Sequence, residues 1–266
     1  MSSYYKVNIV GTYISRYDLF ETIELLKQTI HLDNKKRISV VPVNCTLWAR
    51  KSKSLNKLYN TSDVVTADGV PLIWASKLLG NPIRGRVTGL DLLPEFSKVA
   101  ADNGYTFFFL GAAEGVAERL KEKLESENPG LNVVGTYSPP YAKSFSDKEN
   151  QKMIDMINEV NPNVLWVSLT APKQDYWIYE HFDKLDVNIA IGVGAAFDVV
   201  VGDIQRSPEW MQKYGLEWFY RLIKEPRRLF KRYLIEAPKF IPLVLIQVLK
   251  ERVLGQKQNQ TEEKDL

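Results

Sequence analysis

A transfer reaction needs a group that can take a proton and groups that can hold developing negative charge. In this sequence both kinds stand close together. The run "DVVTADG" is apolar up to Asp68 and then meets Gly69, which permits an exposed turn. A carboxylate at the end of a strand can face a cleft, lose solvation and act as a general base with a raised pKa. The same position suits an aspartate that caps the helix beginning near residue 70, and residue types alone leave both roles open. Arg86, in "RGRVTGLDLL", is the matching cation, since a preorganised guanidinium neutralises the charge on a departing phosphate. Its competing role is a surface ion pair with Asp91, and Asp91 itself reads as a helix N-cap.

Ligands of open parallel sheets collect past the carboxyl ends of the strands, so the residues after each apolar run are the other candidates. They are Asn44 in "VPVNCTL", Thr66 and Gly69 beside Asp68, Gly111 in "FFFLGAAEGVAERL", Gln174 in "VSLTAPKQDYW", and Gly192, Gly194 and Asp198 in "IGVGAAFDVVVG". A strand that passes through a glycine turn into a helix offers backbone N–H groups and a positive dipole end to an anion. Two such turns favour a nucleotide or sugar nucleotide. Neither has the spacing of a dinucleotide fingerprint or a Walker loop, which argues against a dinucleotide oxidoreductase. There is no D-x-D, H-E-x-x-H or G-x-S-x-G motif, and His31 and His181 read as surface residues. No metal site and no cofactor are expected. Trp48, Trp74, Trp166 and Trp177 read as packing residues.

To position these groups the chain must build a sheet. Strand candidates at 6–10, 37–43, 63–66, 105–110, 131–137, 163–169 and 188–193 alternate with helical patterns near 18–31, 46–59, 70–80, 90–103, 114–127, 147–160 and 173–184. Several strands are apolar nearly throughout, as when helices cover both faces of a parallel sheet. The expected fold is α/β, an open, mostly parallel, doubly wound Rossmann-like sheet over 1–202. Residues 203–254 hold no strand, only helical pieces broken by prolines, and Pro226 is placed to start a helix. This is a basic helical appendage, and the polar residues 255–266 read as a flexible tail.

The chain has 266 residues, 45% hydrophobic and 25% charged, as in a folded globular protein. Net charge is only +3, yet 205–232 holds eight Lys/Arg against three acids. That concentration points to an anionic partner. One cysteine, Cys45, excludes an intramolecular disulfide, and no signal peptide or membrane-spanning run is visible, so the expected compartment is the cytoplasm.

The blocks "TADGVPLIWASKLLGNPIRGRVTGLDLL", "FFFLGAAEGVAERL", "SLTAPKQDYW", "IGVGAAFDVVVGDIQRSPEW" and "YGLEWFYRLIKEPRRLFKRY" together resemble the WecG/TagA/CpsF glycosyltransferases, glycosyltransferase family 26, in order from about residue 6 to 233. The resemblance implies an inverting transfer from a UDP-sugar donor to a sugar on polyprenyl diphosphate, at the inner face of the cell membrane, in cell-wall or exopolysaccharide synthesis. By position it makes Asp68 the base and Arg86 the arginine of the R-V-x-G motif, with Asn44 and Gln174 lining the donor pocket. It also makes Arg221, Arg228 and Arg232 the ligands of the acceptor diphosphate. Pro71 and Asp175 depart from the commoner residues near the donor motifs, which leaves the sugar open between N-acetylmannosamine and glucose.

The stretch 219–233, with six basic and four aromatic residues, and the greasy run 240–250 then have a joint use. Arginines hold a diphosphate while the apolar face lies in the headgroup region. On this reading the appendage orders only on the acceptor lipid, as a gate against hydrolysis. The other readings are an apolar face packed in a homo-oligomer, a sugar-nucleotide-binding membrane adaptor without turnover, and a nucleic-acid-binding module, which would need no "TADG" cleft.

Overall fold

A computed structural model describes the backbone of residues 5–262 and the side chains as far as Val253. The chain opens with an antiparallel hairpin, β1 (Lys6–Ile9) and β2 (Thr12–Ser15), separate from the main sheet. Strand β2 was not expected, and the first strand does not join the large sheet. The turn between them is Val10-Gly11, both with positive φ, where a hairpin usually carries Asn-Gly; the usual signal is therefore missing.

The main sheet is built from β3 (Lys36–Pro42), β4 (Val64–Asp68), β5 (Thr106–Gly111), β6 (Asn132–Tyr137), β7 (Val164–Ser168) and β8 (Ile189–Gly192). All neighbours are parallel, in the order β4-β3-β8-β7-β5-β6, which is the expected α/β class. Period-two alternation sorts its side chains between two faces. Ile38, Val40, Phe107, Phe109, Trp166 and Ile191 meet α1 (Leu19–His31), α5 (Gly89–Asn103), α6 (Val116–Glu127) and α9 (Ala196–Val201). On the other face Val41, Val65 and Ala67 meet α2 (Val43–Lys51), α3 (Lys53–Asn60) and α4 (Val70–Leu78). Phe108, Leu110, Leu165 and Val167 of that face meet α7 (Asp147–Val160) and α8 (Lys173–His181). Both faces are covered, so the strands read as apolar without a break.

The helix expected over 46–59 is two helices, because Ser52 takes an extended conformation and its hydroxyl caps α3 at Leu55 N. Trp166 and Trp177 are core residues, whereas Trp74 is 60% exposed. His181 is half-buried against the Trp177 ring rather than on the surface.

After Gly202 come α10 (Glu209–Lys213), α11 (Glu217–Lys224) and α12 (Pro226–Phe230), with Pro226 at the first helical position. A π-helical turn, Lys231–Glu236, and a short 3-10 turn, Ala237–Lys239, lead into α13 (Phe240–Glu262). Helix α13 covers 255–262, part of the expected tail, and 263–266 lie outside the described residues. Phe240, Val244 and Val248 of α13 are buried in the cluster formed by the hairpin and α2–α4. Gln247 adds two hydrogen bonds to the hairpin, accepting from Val10 N at 2.8 Å and donating to Asn8 O at 2.8 Å. Through these residues the appendage is packed against the body in this structure.

Candidate active site

Asp68 is the last residue of β4 and is paired in register with Pro42, two residues before Asn44. Gly69 follows at φ +136 and ψ 141, a conformation open essentially to glycine, so the chain leaves the strand sharply there. No side chain caps α4, so Asp68 is not a cap residue. The residue as a whole is half-buried, but its carboxyl is enclosed, and burial pushes it up to about 6. Arg86 opposes that shift, Glu217 adds to it, and Arg232 and Arg221 oppose it. Asp68 is therefore a carboxylate poised near neutral pH among cations, as a general base requires.

Arg86 is brought beside it by the loop before α5. Val87 N donates to Ala67 O at 3.0 Å, and the Thr66 hydroxyl donates to Val87 O at 3.2 Å. Thr66 is thus a buried tie holding that loop to β4, with its hydroxyl proton committed to Val87 O. The Arg86 guanidinium pairs with Glu217 at 2.9 Å and Asp91 at 3.4 Å. Asp91 also pairs with Arg206, and Arg206 Nε lies 3.5 Å from Glu217 Oε1. Asp91 is not the N-cap of α5: Thr88 is, and its hydroxyl donates to the Asp91 carboxylate.

From the appendage, Arg232 donates to Asn44 Oδ1 at 2.6 Å, and Arg221 and Arg232 both lie within charge range of Asp68. The Nε groups of Arg221 and Arg232 are buried without a hydrogen-bond partner among the described residues, so each has a donor to offer an anion. Arg228 is not in this group. It is exposed, pairs with Glu225 at 2.6 Å, and lies in charge range of Asp198 on α9. The Asp198 carboxyl is half-buried and shifted up by that burial.

The glycine turns shape the site more than they donate to it. Gly192 has no room for a Cβ, which would sit 2.8 Å from the Gln174 amide, and that absence lets Gln174 cross β8. Buried Gln174 accepts from Gly194 N at 2.9 Å, while Val193 N is spent on Val167 O. Past Gly111, Ala112 N is spent on Ser168 O at 2.7 Å. These internal bonds use part of the amides of the two turns, because a buried N–H must find a partner.

Two features were not foreseen. Glu217 and Arg206 complete the Arg86 network, although both stand in blocks that carry the family resemblance. In charge range of Cys45, buried Asp175 accepts from the Tyr59 hydroxyl at 3.2 Å; burial pushes its carboxyl up to about 7, and the Tyr59 bond pulls against that. Burial likewise pushes the Cys45 thiol and the Tyr59 phenol up. Among the described residues no helix is long and apolar enough to cross a membrane.

Three similar proteins share the name N-acetylglucosaminyldiphosphoundecaprenol N-acetyl-beta-D-mannosaminyltransferase. That of Bacillus subtilis is 31% identical over 208 residues, covering 78% of each chain. That of Bacillus spizizenii is 29% identical over 220 residues and 82% of each chain. The Staphylococcus aureus protein is 25% identical over 249 residues and 93% of each. The model of the "Glycosyl transferase WecG/TagA/CpsF family" matches residues 7–254, a span that takes in the sheet, Asp68, Arg86 and the appendage arginines, and this chain belongs to that glycosyltransferase family.

Proposed function

We propose that the enzyme moves a hexosamine from a UDP-sugar onto N-acetylglucosamine carried by undecaprenyl diphosphate, at the inner face of the cell membrane. The observation that carries this reading is Asp68, a strand-end carboxyl lifted by burial to about 6 and in charge range of Arg86, Arg232 and Arg221, with one acid, Glu217, among them. The acceptor hydroxyl gives its proton to Asp68 as its oxygen attacks C1 of the donor sugar. The bond from C1 to the diphosphate breaks, UDP leaves with the electron pair, and the configuration at C1 inverts. Arginines supply the counter-charge to the leaving diphosphate. On this reading Asn44, Gly69, Gly111, Gln174, Gly192 and Gly194 serve the donor.

The names of the relatives favour N-acetylmannosamine as the sugar. Glucose is the second reading, because Asp175, a departure from the commoner motif, is buried in charge range of Cys45, the residue after Asn44. The test is UDP release from a panel of UDP-sugars, with and without a short-chain prenyl-diphosphate-linked N-acetylglucosamine. Release from one donor that depends on the acceptor is the expected result and names the sugar. No release from any donor, with UDP bound, would replace this reading with that of a binding adaptor.

A further inference from the structure

Glu217 is an acid held among guanidinium groups. Its side chain is 15% exposed, and its carboxylate lies 2.9 Å from Arg86 Nη1 and 3.5 Å from Arg206 Nε, while Asp91 ties the same two arginines together from another side. Glu217 also opens α11, at the helix end where the dipole favours negative charge. Glu217 thus accepts a hydrogen bond from one guanidinium and lies at ion-pair distance from a second, a position between arginines that a phosphate oxygen can also take. Alongside, Arg221 and Arg232 hold Nε donors with no partner among the described residues. Four arginines thus face three acids, Asp68, Asp91 and Glu217. Of those acids only Glu217 belongs to the appendage.

We propose that the Glu217 carboxylate occupies the place of a substrate diphosphate, which must displace it from Arg86 and Arg206 in order to bind. The inference rests on the transferase reading of this cleft. Arrival of the diphosphate then releases the ties between α11 and Arg86, so charge binding and appendage movement become one event. Nucleotide and prenyl lipid both carry a diphosphate, and the chemistry at the arginines is the same for either.

The experiment is calorimetric titration of the full chain and of Glu217→Gln with UDP and, separately, with a short-chain prenyl diphosphate. The substitution keeps the size of the side chain and removes the competing charge. It should tighten one of the two ligands about tenfold, the worth of one charge-assisted contact, and the ligand that gains is the one Glu217 mimics. Unchanged or weaker binding of both would overturn the proposal and leave Glu217 as a residue that positions Arg86. Failure of both diphosphates to bind either protein would instead remove the transferase reading of the cleft, and this proposal with it. A second measurement needs no change at Glu217. Trp218 is the next residue, with its ring 5.8 Å from Phe219 and 6.1 Å from Tyr233. Saturating diphosphate should change the emission of the wild-type chain and not that of Trp218→Phe; equal responses from the two would count against displacement.

Discussion

Asp68 carries opposite demands at the scale of one residue. Burial keeps its proton on up to about pH 6, while Arg86, Arg221 and Arg232 draw the proton off. A base must be ionised to act, so kcat/KM should rise with pH through about 6 and then level off. Asp68→Asn should lose activity by about a hundred- to ten-thousand-fold. Arg86→Gln removes the largest opposing charge, so its rising limb should lie at higher pH than that of the parent, besides the loss in rate. Stability should move the other way. The folded carboxyl holds its proton to about 6 and the unfolded one only to about 3.8, so the folded form binds more protons between those values. Stability from this group is therefore full below 3.8 and lost as pH rises through 6. Asp68→Asn should consequently be more stable than the parent at pH 8, by on the order of 1–3 kcal/mol, and nearly equal to it at pH 3.5. Denaturation curves at the two pH values check this, and a destabilised variant at pH 8 would mean that the arginines dominate the site.

The elements show which parts of the molecule were legible in the sequence and which were not. The six parallel strands were readable because burial on both faces leaves long apolar runs such as "YTFFFL", and Asp68 because a strand end followed by glycine is a local pattern. Strand β2 was hidden by a Val10-Gly11 turn without the usual asparagine, and α9 by a short run that looks like a continued loop. The Arg86–Glu217 contact joins residues 131 positions apart, and no local spacing encodes it. The same limit applies to Gln247, which interrupts an apolar run and in one dimension looks like a blemish. In the fold it is the polar tie between α13 and the hairpin, bonded to Val10 N and Asn8 O. Gln247→Leu leaves both backbone groups unpaired, at a cost of about 1–3 kcal/mol. Hydrogen exchange should then quicken in α13 and around Val10 and stay unchanged in β5 and β7. Uniform quickening across the sheet would mean that α13 is part of the global folding unit and not a docked element.

At the scale of the whole molecule, α13 has two apolar sides. Phe240, Val244 and Val248 face the body, while Ile241, Leu245 and Leu249 are exposed. Helix α4 adds exposed Trp74 and Leu78, and a groove of about 420 Å³ between the two helices is lined by Leu78, Leu79 and Val248 together with the charged Lys77, Glu251 and Arg252. Lys231 and Lys239 are exposed in the turns leading into α13. A monomer in water gains nothing from so much exposed apolar surface beside basic groups, whereas an anionic bilayer matches both. Each lysine near such a surface contributes roughly 1 kcal/mol, so replacing Lys231 and Lys239 together with glutamine should weaken binding to anionic vesicles by about thirtyfold. That loss should vanish on neutral vesicles. Leu245→Glu with Leu249→Glu should weaken binding to both kinds of vesicle, because it removes the apolar half of the contact, and should leave transfer to a soluble short-chain acceptor intact. Vesicle sedimentation and the soluble assay separate these terms. If the leucine pair instead abolished self-association and left vesicle binding unchanged, the exposed face of α13 would be a contact between copies of this chain, and the lipid-linked acceptor would have to reach the arginines without help from that helix.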